Sequence, residues 1–271
     1  MKAKTFLVLM LICLALMTSA QNGNTPFNIG KIATIKSVIL KEDRTLNIYL
    51  PDGYNNKEKY QVIYLLDGSA NEDFLHIVGL VQFFNMTFKM PNTIIVGIAN
   101  IDRRRDFTFP TKIGDLKKNY PTTGGSAKFI YFIEKELQPY IKANYKINDT
   151  SYLIGQSLGG LLATEILLKK PDLFTNYIIV SPSLWWDDES LLKKAPALLA
   201  VKKDSKKWVY VSVGNEEKVM EQDAAELVQA LQNSGNKNMK IDFVPLPKEN
   251  HATILHNSIY EALKIRYPYK E

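Results

Sequence analysis

Ser151-Tyr152-Leu153-Ile154-Gly155-Gln156-Ser157-Leu158-Gly159-Gly160-Leu161-Leu162-Ala163-Thr164-Glu165-Ile166-Leu167-Leu168 is the stretch that decides the fold. A short apolar run leads into a Gly-x-Ser-x-Gly pentapeptide, and a strong helix former follows. Strand, tight turn and helix are the context in which this pentapeptide builds a nucleophile elbow. The spacing predicts Ser157 in a strained turn at the C-terminal end of a strand. Glycines two residues to either side let neighbouring backbone come close without a Cβ clash. The N-terminus of the following helix would then point free N–H groups at any oxyanion formed there.

Outward from the elbow, apolar runs alternate with amphipathic ones. Tyr60 to Leu66 and Thr93 to Ile98 are near-continuous apolar segments, suited to strands covered on both faces. Asn176 to Val180, Lys207 to Val213 and Ile241 to Leu246 read as further strands. Lys128 to Tyr145, Val219 to Gln232 and Ala252 to Ile265 carry helical periodicity. Before all of these, Ala33 to Leu40 and Thr45 to Leu50 flank a charged turn and read as an antiparallel hairpin. The expected class is α/β: an α/β-hydrolase fold, with a mainly parallel central sheet, an N-terminal antiparallel hairpin and helices on both faces.

Residues 1–20 read as a secretory signal peptide: Lys2 and Lys4, an apolar Phe6 to Met17, then Thr18-Ser19-Ala20 before Gln21. The apolar core is short for a membrane span. Residues 21–271 are then expected to form one esterase domain of the α/β-hydrolase type, exported to a periplasm or released, with no membrane insertion after cleavage. Cys13 is the only cysteine, so the mature chain has no disulfide, thiolate metal site or cysteine nucleophile. Without the leader the chain holds 32 basic and 28 acidic residues, scattered rather than clustered. That pattern does not suggest nucleic acid as a partner.

A serine hydroxyl needs a base, and the base needs an orienting carboxylate. On this fold the chain order is serine, acid, histidine. Of three histidines, His76 precedes Ser157 and His256 falls inside a helix. His251 follows the last strand and is the expected base. The acid should follow the strand ending at Val213, where Gly214-Asn215-Glu216-Glu217 offers two glutamates; Asp187, Asp188 and Asp223 are less well placed. The oxyanion donors are expected from the N–H of Leu158 and from the loop after the third strand, with Ser69 ahead of Gly68. No metal or cofactor is called for by this chemistry.

The chain resembles the putative esterase family of α/β-hydrolases, the group that contains trilactone siderophore esterases. The resemblance runs over nearly all of the mature chain. It is carried by Tyr64 to Gly68, Arg105-Asp106-Phe107-Thr108, Phe132 to Ile141, the elbow, Ser181-Pro182-Ser183-Leu184-Trp185-Trp186, Val213 to Glu217, and His251. It implies Ser157 as nucleophile, His251 as base and Glu217 as acid, with Glu216 the alternative, although some members work with a serine–histidine pair. The chain departs from the pattern at Thr108-Phe109-Pro110, where the family usually runs Thr directly into Pro. That leaves the substrate open rather than the reaction type. Arg105, Trp185 and Trp186 are the expected substrate-binding residues. Arg103 and Arg104 read as an exposed loop, or else as an anion-holding rim.

The expected activity is hydrolysis of a small-molecule carboxylic ester, with a siderophore trilactone as leading substrate. An acyl or feruloyl ester on a polysaccharide is the second reading, and a non-catalytic binding protein on the same scaffold is the third. A catecholate substrate predicts a positive cleft rim. A polysaccharide predicts an open groove lined by exposed aromatics.

Overall fold

A computed structural model describes residues 26–201 and 206–269. The signal peptide expected over residues 1–20, with Cys13 inside it, lies outside the described residues. Eight strands form one sheet: β1 (Lys31–Ser37), β2 (Glu42–Tyr49), β3 (Tyr60–Leu65), β4 (Thr93–Ile98), β5 (Ile147–Gln156), β6 (Asn176–Val180), β7 (Lys207–Gly214) and β8 (Met239–Leu246). Their order across the sheet is β1-β2-β4-β3-β5-β6-β7-β8. The β1–β2 and β2–β4 pairs are antiparallel, and every pair from β4 to β8 is parallel.

The composition of each strand explains its place. β3, β4, β6 and β7 are buried along their whole length, and parallel strands under helices need apolar residues on both faces. β1 and β8 stand at the edges and are partly exposed. Alternate residues serve two cores. Val62 and Tyr64, Tyr177 and Ile179, and Val209 and Val211 face one side. Ile63 and Leu65, Ile178 and Val180, and Trp208 and Tyr210 face the other.

The first core is covered by α4 (Ser126–Phe132), α5 (Gln138–Asn144), α6 (Leu158–Lys169), α7 (Trp186–Leu199) and α8 (Lys218–Asn233). The second is covered by α1 (Phe74–Thr87) and α9 (Ile254–Arg266). Two short helices, α2 (Arg103–Phe107) and α3 (Gly114–Asn119), sit between β4 and α4. Among the described residues, no helix is long and apolar enough to cross a membrane.

The segment read as helical over Lys128 to Tyr145 is helical from Ser126 to Asn144, with a π-helical turn, Ile133–Leu137, set between α4 and α5. The turn carries Glu136, which accepts hydrogen bonds from Ser37 Oγ (2.5 Å) and from the amides of Val38 (2.9 Å) and Ile39 (3.1 Å). It thereby ties the N-terminal hairpin to the helical layer. A second tie is ionic. Arg44, fully buried, lies 2.9 Å from both Glu42 and Asp106, with its guanidinium over the Phe129 ring. Arg105 closes the network on the same two carboxylates.

Asp223 on α8 is the least satisfied acid in this layer. It is buried and its Oδ2 lacks a hydrogen-bond partner. Burial, followed by repulsion from Glu189 and Glu226, pushes its carboxyl up to about 6, against the pull of Lys193. A carboxyl that binds its proton more tightly folded than unfolded loses stability for the protein as pH rises from about 4 through 6. Asp223→Asn should therefore raise the thermal midpoint at pH 7.5 by roughly 2–4 °C, with little gain at pH 4.5. An unchanged or lower midpoint at pH 7.5, read by differential scanning calorimetry, would count against this account.

Candidate active site

β5 ends at Gln156, and the chain turns at Ser157 with φ 58° and ψ −120°. A non-glycine residue held there costs on the order of 1–3 kcal/mol unless its surroundings fix it. Here they do. The Ser157 N–H donates to Val180 O at the tip of β6 (3.1 Å), and its carbonyl accepts from Leu161 (2.9 Å) and Ser183 (3.0 Å). A Cβ on Gly155 would stand 2.4 Å from Gly159 O, so the turn requires glycine at that position. Leu158 opens α6, so its N–H has no acceptor within the helix and remains the first candidate oxyanion donor.

The two candidates for the second donor separate. The Gly68 N–H donates to Ile98 O at 3.1 Å, and a Cβ there would meet Gly97 Cα at 2.4 Å. Gly68 therefore serves close strand packing rather than the oxyanion hole. The Ser69 N–H faces only Glu72 Oε2, at a long 3.3 Å, and stays in contention.

His251 follows β8, as the chain order requires. Its Nδ1 lies 2.6 Å from Glu216 Oε2. The carboxylate on the histidine is thus Glu216 and not Glu217. Glu217 occupies the N-cap position of α8, makes no side-chain cap bond, and lines the cleft. The reason is local: the Asn215 N–H bonds Glu249 O (2.7 Å), so the turn after β7 is clasped to the histidine loop. That clasp carries residue 216, rather than 217, inward. Glu216 also accepts from Ser181 Oγ (2.5 Å) and from the Gly214 N–H (3.2 Å) through Oε1. Burial alone would raise its carboxyl. The hydrogen bonds from His251, Ser181 and Gly214, together with the nearby imidazole charge, outweigh burial and hold it below the ordinary range. The group is therefore a carboxylate at neutral pH.

Ser157 and His251 line the same cleft. Ser157 Oγ is paired with Ser183 Oγ at 3.3 Å, and no hydrogen bond joins it to His251 in this resting arrangement. Gln156 Nε2 donates to the His251 carbonyl at 2.5 Å, so the elbow and the histidine loop are fastened to each other. Of the less favoured acids, Asp187 binds Thr111 Oγ1 (2.7 Å) and the Lys112 amide (3.0 Å), Asp188 pairs with Lys193, and Asp223 is buried on α8. His76 and His256 stack on each other with centroids 3.6 Å apart, joining α1 to α9.

The expected substrate-binding residues divide as well. Trp185 lines the cleft beside Ser157 and Ser183. Trp186 is fully buried and donates through Nε1 to Phe109 O (2.9 Å), so it is packing. Arg105 is committed to Glu42 and Asp106, and its hydrogen bond with Asp106 is the largest influence pushing its already high pKa further up. It belongs to the hairpin anchor and not to the cleft. Arg104 stacks over Tyr120.

Arg103 is the cation that does reach the cleft. It grips Asp67 through Nε (2.6 Å) and Nη2 (2.9 Å) and reaches Gln156 O at 3.3 Å. The described lining sets Asp67, Glu72, Asp73, Glu216 and Glu217 against Arg103 and His251. The rim is net acidic, contrary to the positive rim that a catecholate substrate predicts. Among the described residues, no group of three or more His, Cys, Asp or Glu is placed to hold a metal ion.

Comparison with known proteins agrees with this architecture. The family model described as "Putative esterase" matches residues 37–254. Ferri-bacillibactin esterase BesA of Bacillus subtilis is 30% identical over 247 residues, covering 82% of this chain and 85% of that protein. The BES protein from Bacillus cereus superposes with a TM-score of 0.79 at 30% identity, over 93% of this chain and all of that one. An IroE-like serine hydrolase from Shewanella oneidensis also gives 0.79, at 29% identity over 88% and 80% of the two chains. With an α/β-hydrolase sheet and a family match over most of its length, the chain belongs to this esterase family and is an ester-hydrolysing enzyme.

Proposed function

We propose that the protein is an exported serine esterase that opens a siderophore-type trilactone by a Ser157–His251–Glu216 relay. The observation that carries this reading is the 2.6 Å contact of Glu216 on His251 Nδ1, in a cleft shared with a serine on a strained elbow. Glu216 holds the Nδ1 proton, which leaves Nε2 as the basic nitrogen. Ser157 exchanges its bond to Ser183 for one to Nε2; catalytic hydrogen bonds commonly close only when substrate arrives. Its oxygen then attacks the ester carbonyl while its proton passes to His251. The N–H groups of Leu158 and Ser69 meet the developing oxyanion. Collapse breaks the C–O bond, and the imidazolium gives its proton to the departing alkoxide. Water then enters and attacks the acyl carbon as His251 takes its proton; the acyl–Oγ bond breaks, and His251 returns the proton to Ser157 as the acid leaves.

Siderophore esterases among the relatives support the substrate class: beside the bacillibactin enzyme, an Iron(III) salmochelin esterase of Escherichia coli is 26% identical over 61% of this chain. The acidic rim narrows the class. A ferric catecholate complex carries several negative charges, whereas the iron-free trilactone is nearly neutral at pH 7. Like charges across a cleft are repelled, so the iron-free form is the favoured substrate. Trp185 is the one aromatic in the described lining, which gives a polysaccharide groove little support. Residues 1–20 are assigned as the export signal, and the mature enzyme is placed in a periplasm or outside the cell.

Ser157→Ala should lower kcat for a nitrophenyl ester by at least ~10³-fold with the fold intact, and a fluorophosphonate probe should label wild type at Ser157. Wild-type turnover in that variant would rule out Ser157 as the nucleophile, and an inert serine toward the probe would favour the non-catalytic binding protein. Glu216→Gln should lose on the order of 10²-fold or more in kcat, and Glu217→Gln far less. The reverse ranking would restore Glu217 as the acid. Against the ferric complex, iron-free trilactone should show a kcat/KM roughly tenfold or more higher, with the gap narrowing as salt is added; equal values would remove the argument from the rim.

A further inference from the structure

The loop after β6, Ser181-Pro182-Ser183, touches both ends of the site just described. Ser181 is fully buried, with φ 42°, in the left-handed region that favours glycine. Its N–H donates to Ser212 O on β7 (2.8 Å), and its Oγ donates to Glu216 Oε1 (2.5 Å). Two residues on, the Ser183 N–H donates to Ser157 O (3.0 Å). Pro182 lies against the start of α6 so closely that a Cβ on Gly160 would stand 2.9 Å from Pro182 Cα. The strap is therefore pinned to β7, to α6, to the nucleophile's backbone and to the acid's side chain.

A serine with positive φ in a buried turn pays a backbone cost that glycine would avoid. The Ser181 N–H bond to Ser212 would survive in glycine. What glycine would lack is the hydroxyl on Glu216. Glu216 Oε2 is the edge that meets His251, and Oε1 is the edge that must be held if the carboxylate is not to rotate about its last torsion. Ser181 and the Gly214 N–H hold that edge from two directions.

We infer that Ser181 is a positioning residue of the esterase site, its hydroxyl fixing the Glu216 carboxylate so that Oε2 stays on His251 Nδ1. The inference rests on the reading of Ser157, His251 and Glu216 given above. The Ser181 hydroxyl does not touch the reacting atoms and acts through the carboxylate alone. Its removal also leaves more negative charge on the Glu216 carboxylate, which favours the imidazolium form of His251. The Nε2 proton is then held to higher pH, which moves the acid limb of the rate profile upward.

The test is Ser181→Gly, which deletes the hydroxyl and relieves the backbone, with Ser181→Ala as a second variant that deletes the hydroxyl alone. Both are assayed on a nitrophenyl ester from pH 5 to 9, alongside thermal unfolding. Ser181→Gly should keep a thermal midpoint at or above wild type and lose roughly 10- to 100-fold in kcat with KM within about threefold. Its acid limb should move up by about half a pH unit or more. On a Glu216→Gln background the same change should cost less than about threefold, because no carboxylate is left for it to orient on His251. A wild-type kcat and acid limb in both variants would overturn the inference. So would a rate loss that follows the folded fraction with the limb unmoved, or an equal loss on the Glu216→Gln background. Turnover by Ser157→Ala would instead overturn the underlying reading of the site, whereas a dead Ser157→Ala beside an unaltered Ser181→Gly would remove only the role of Ser181.

Discussion

The backbone of Ser157 is the point on which the site depends. Its positive φ is unfavourable taken alone, and no single neighbour compensates for it. The strain is held by backbone bonds from the tip of β6 and from the loop beyond it, and by glycines that let β5 and α6 meet at a sharp angle. Two of the backbone bonds come from β6, the sheet neighbour of β5, and from the loop that leaves it. The parallel pairing of β5 with β6 is thus a condition for the elbow and not merely its scaffold. Brought out at the carboxyl ends of the strands, the serine meets loops from β7 and β8, the same edge at which open α/β sheets generally bind ligands.

The electrostatics of the molecule are divided by depth. One guanidinium, Arg44, is wholly buried, and together with Arg105 it is spent on joining the hairpin to the helices. The neighbouring Arg103 points the other way and neutralises Asp67 at the cleft. Three consecutive arginines, Arg103, Arg104 and Arg105, therefore have three separate uses, because α2 fans them around a single turn with a side chain about every 100°. A run of charge in a sequence carries no function until the local helix phase is known.

That lesson sets how much could be read from the chain in advance. The strands were legible because buried parallel strands are written as unbroken apolar runs. The elbow was legible because its glycines, strand and helix are contiguous. His251 could be singled out as the candidate base by elimination, with only three histidines and an expected chain order. Glu216 and Glu217 could not be separated, since adjacent residues in a turn differ by which one the turn carries inward, and here a backbone bond between Asn215 and Glu249 decides it. The grip of Arg103 on Asp67 joins positions distant in sequence and leaves no local trace. Trp185 and Trp186 part company for the same reason as the glutamates. Phe74–Thr87 went unread because, although its buried positions are helically spaced, Leu75, Phe83 and Met86 on its exposed face remove the polar contrast that marks an amphipathic helix. Gly68 shows the converse error: a glycine beside a site can be there for the strand it touches.

The π-helical turn at Ile133–Leu137 has a consequence for how the N-terminal part of the sheet is coupled to the rest. Such a turn is an ordinary helix holding one surplus residue. Excising one residue would regularise the helix and rotate all that follows by about 100°. Glu136 would swing off the amides of Val38 and Ile39 and off Ser37, and the hairpin tip would lose its tether while α5 stayed helical. The extra residue acts as a phase adjuster: it aims one carboxylate at a distant loop and so fastens the tip of an antiparallel wing whose base is held by Arg44 and by the β2–β4 pairing.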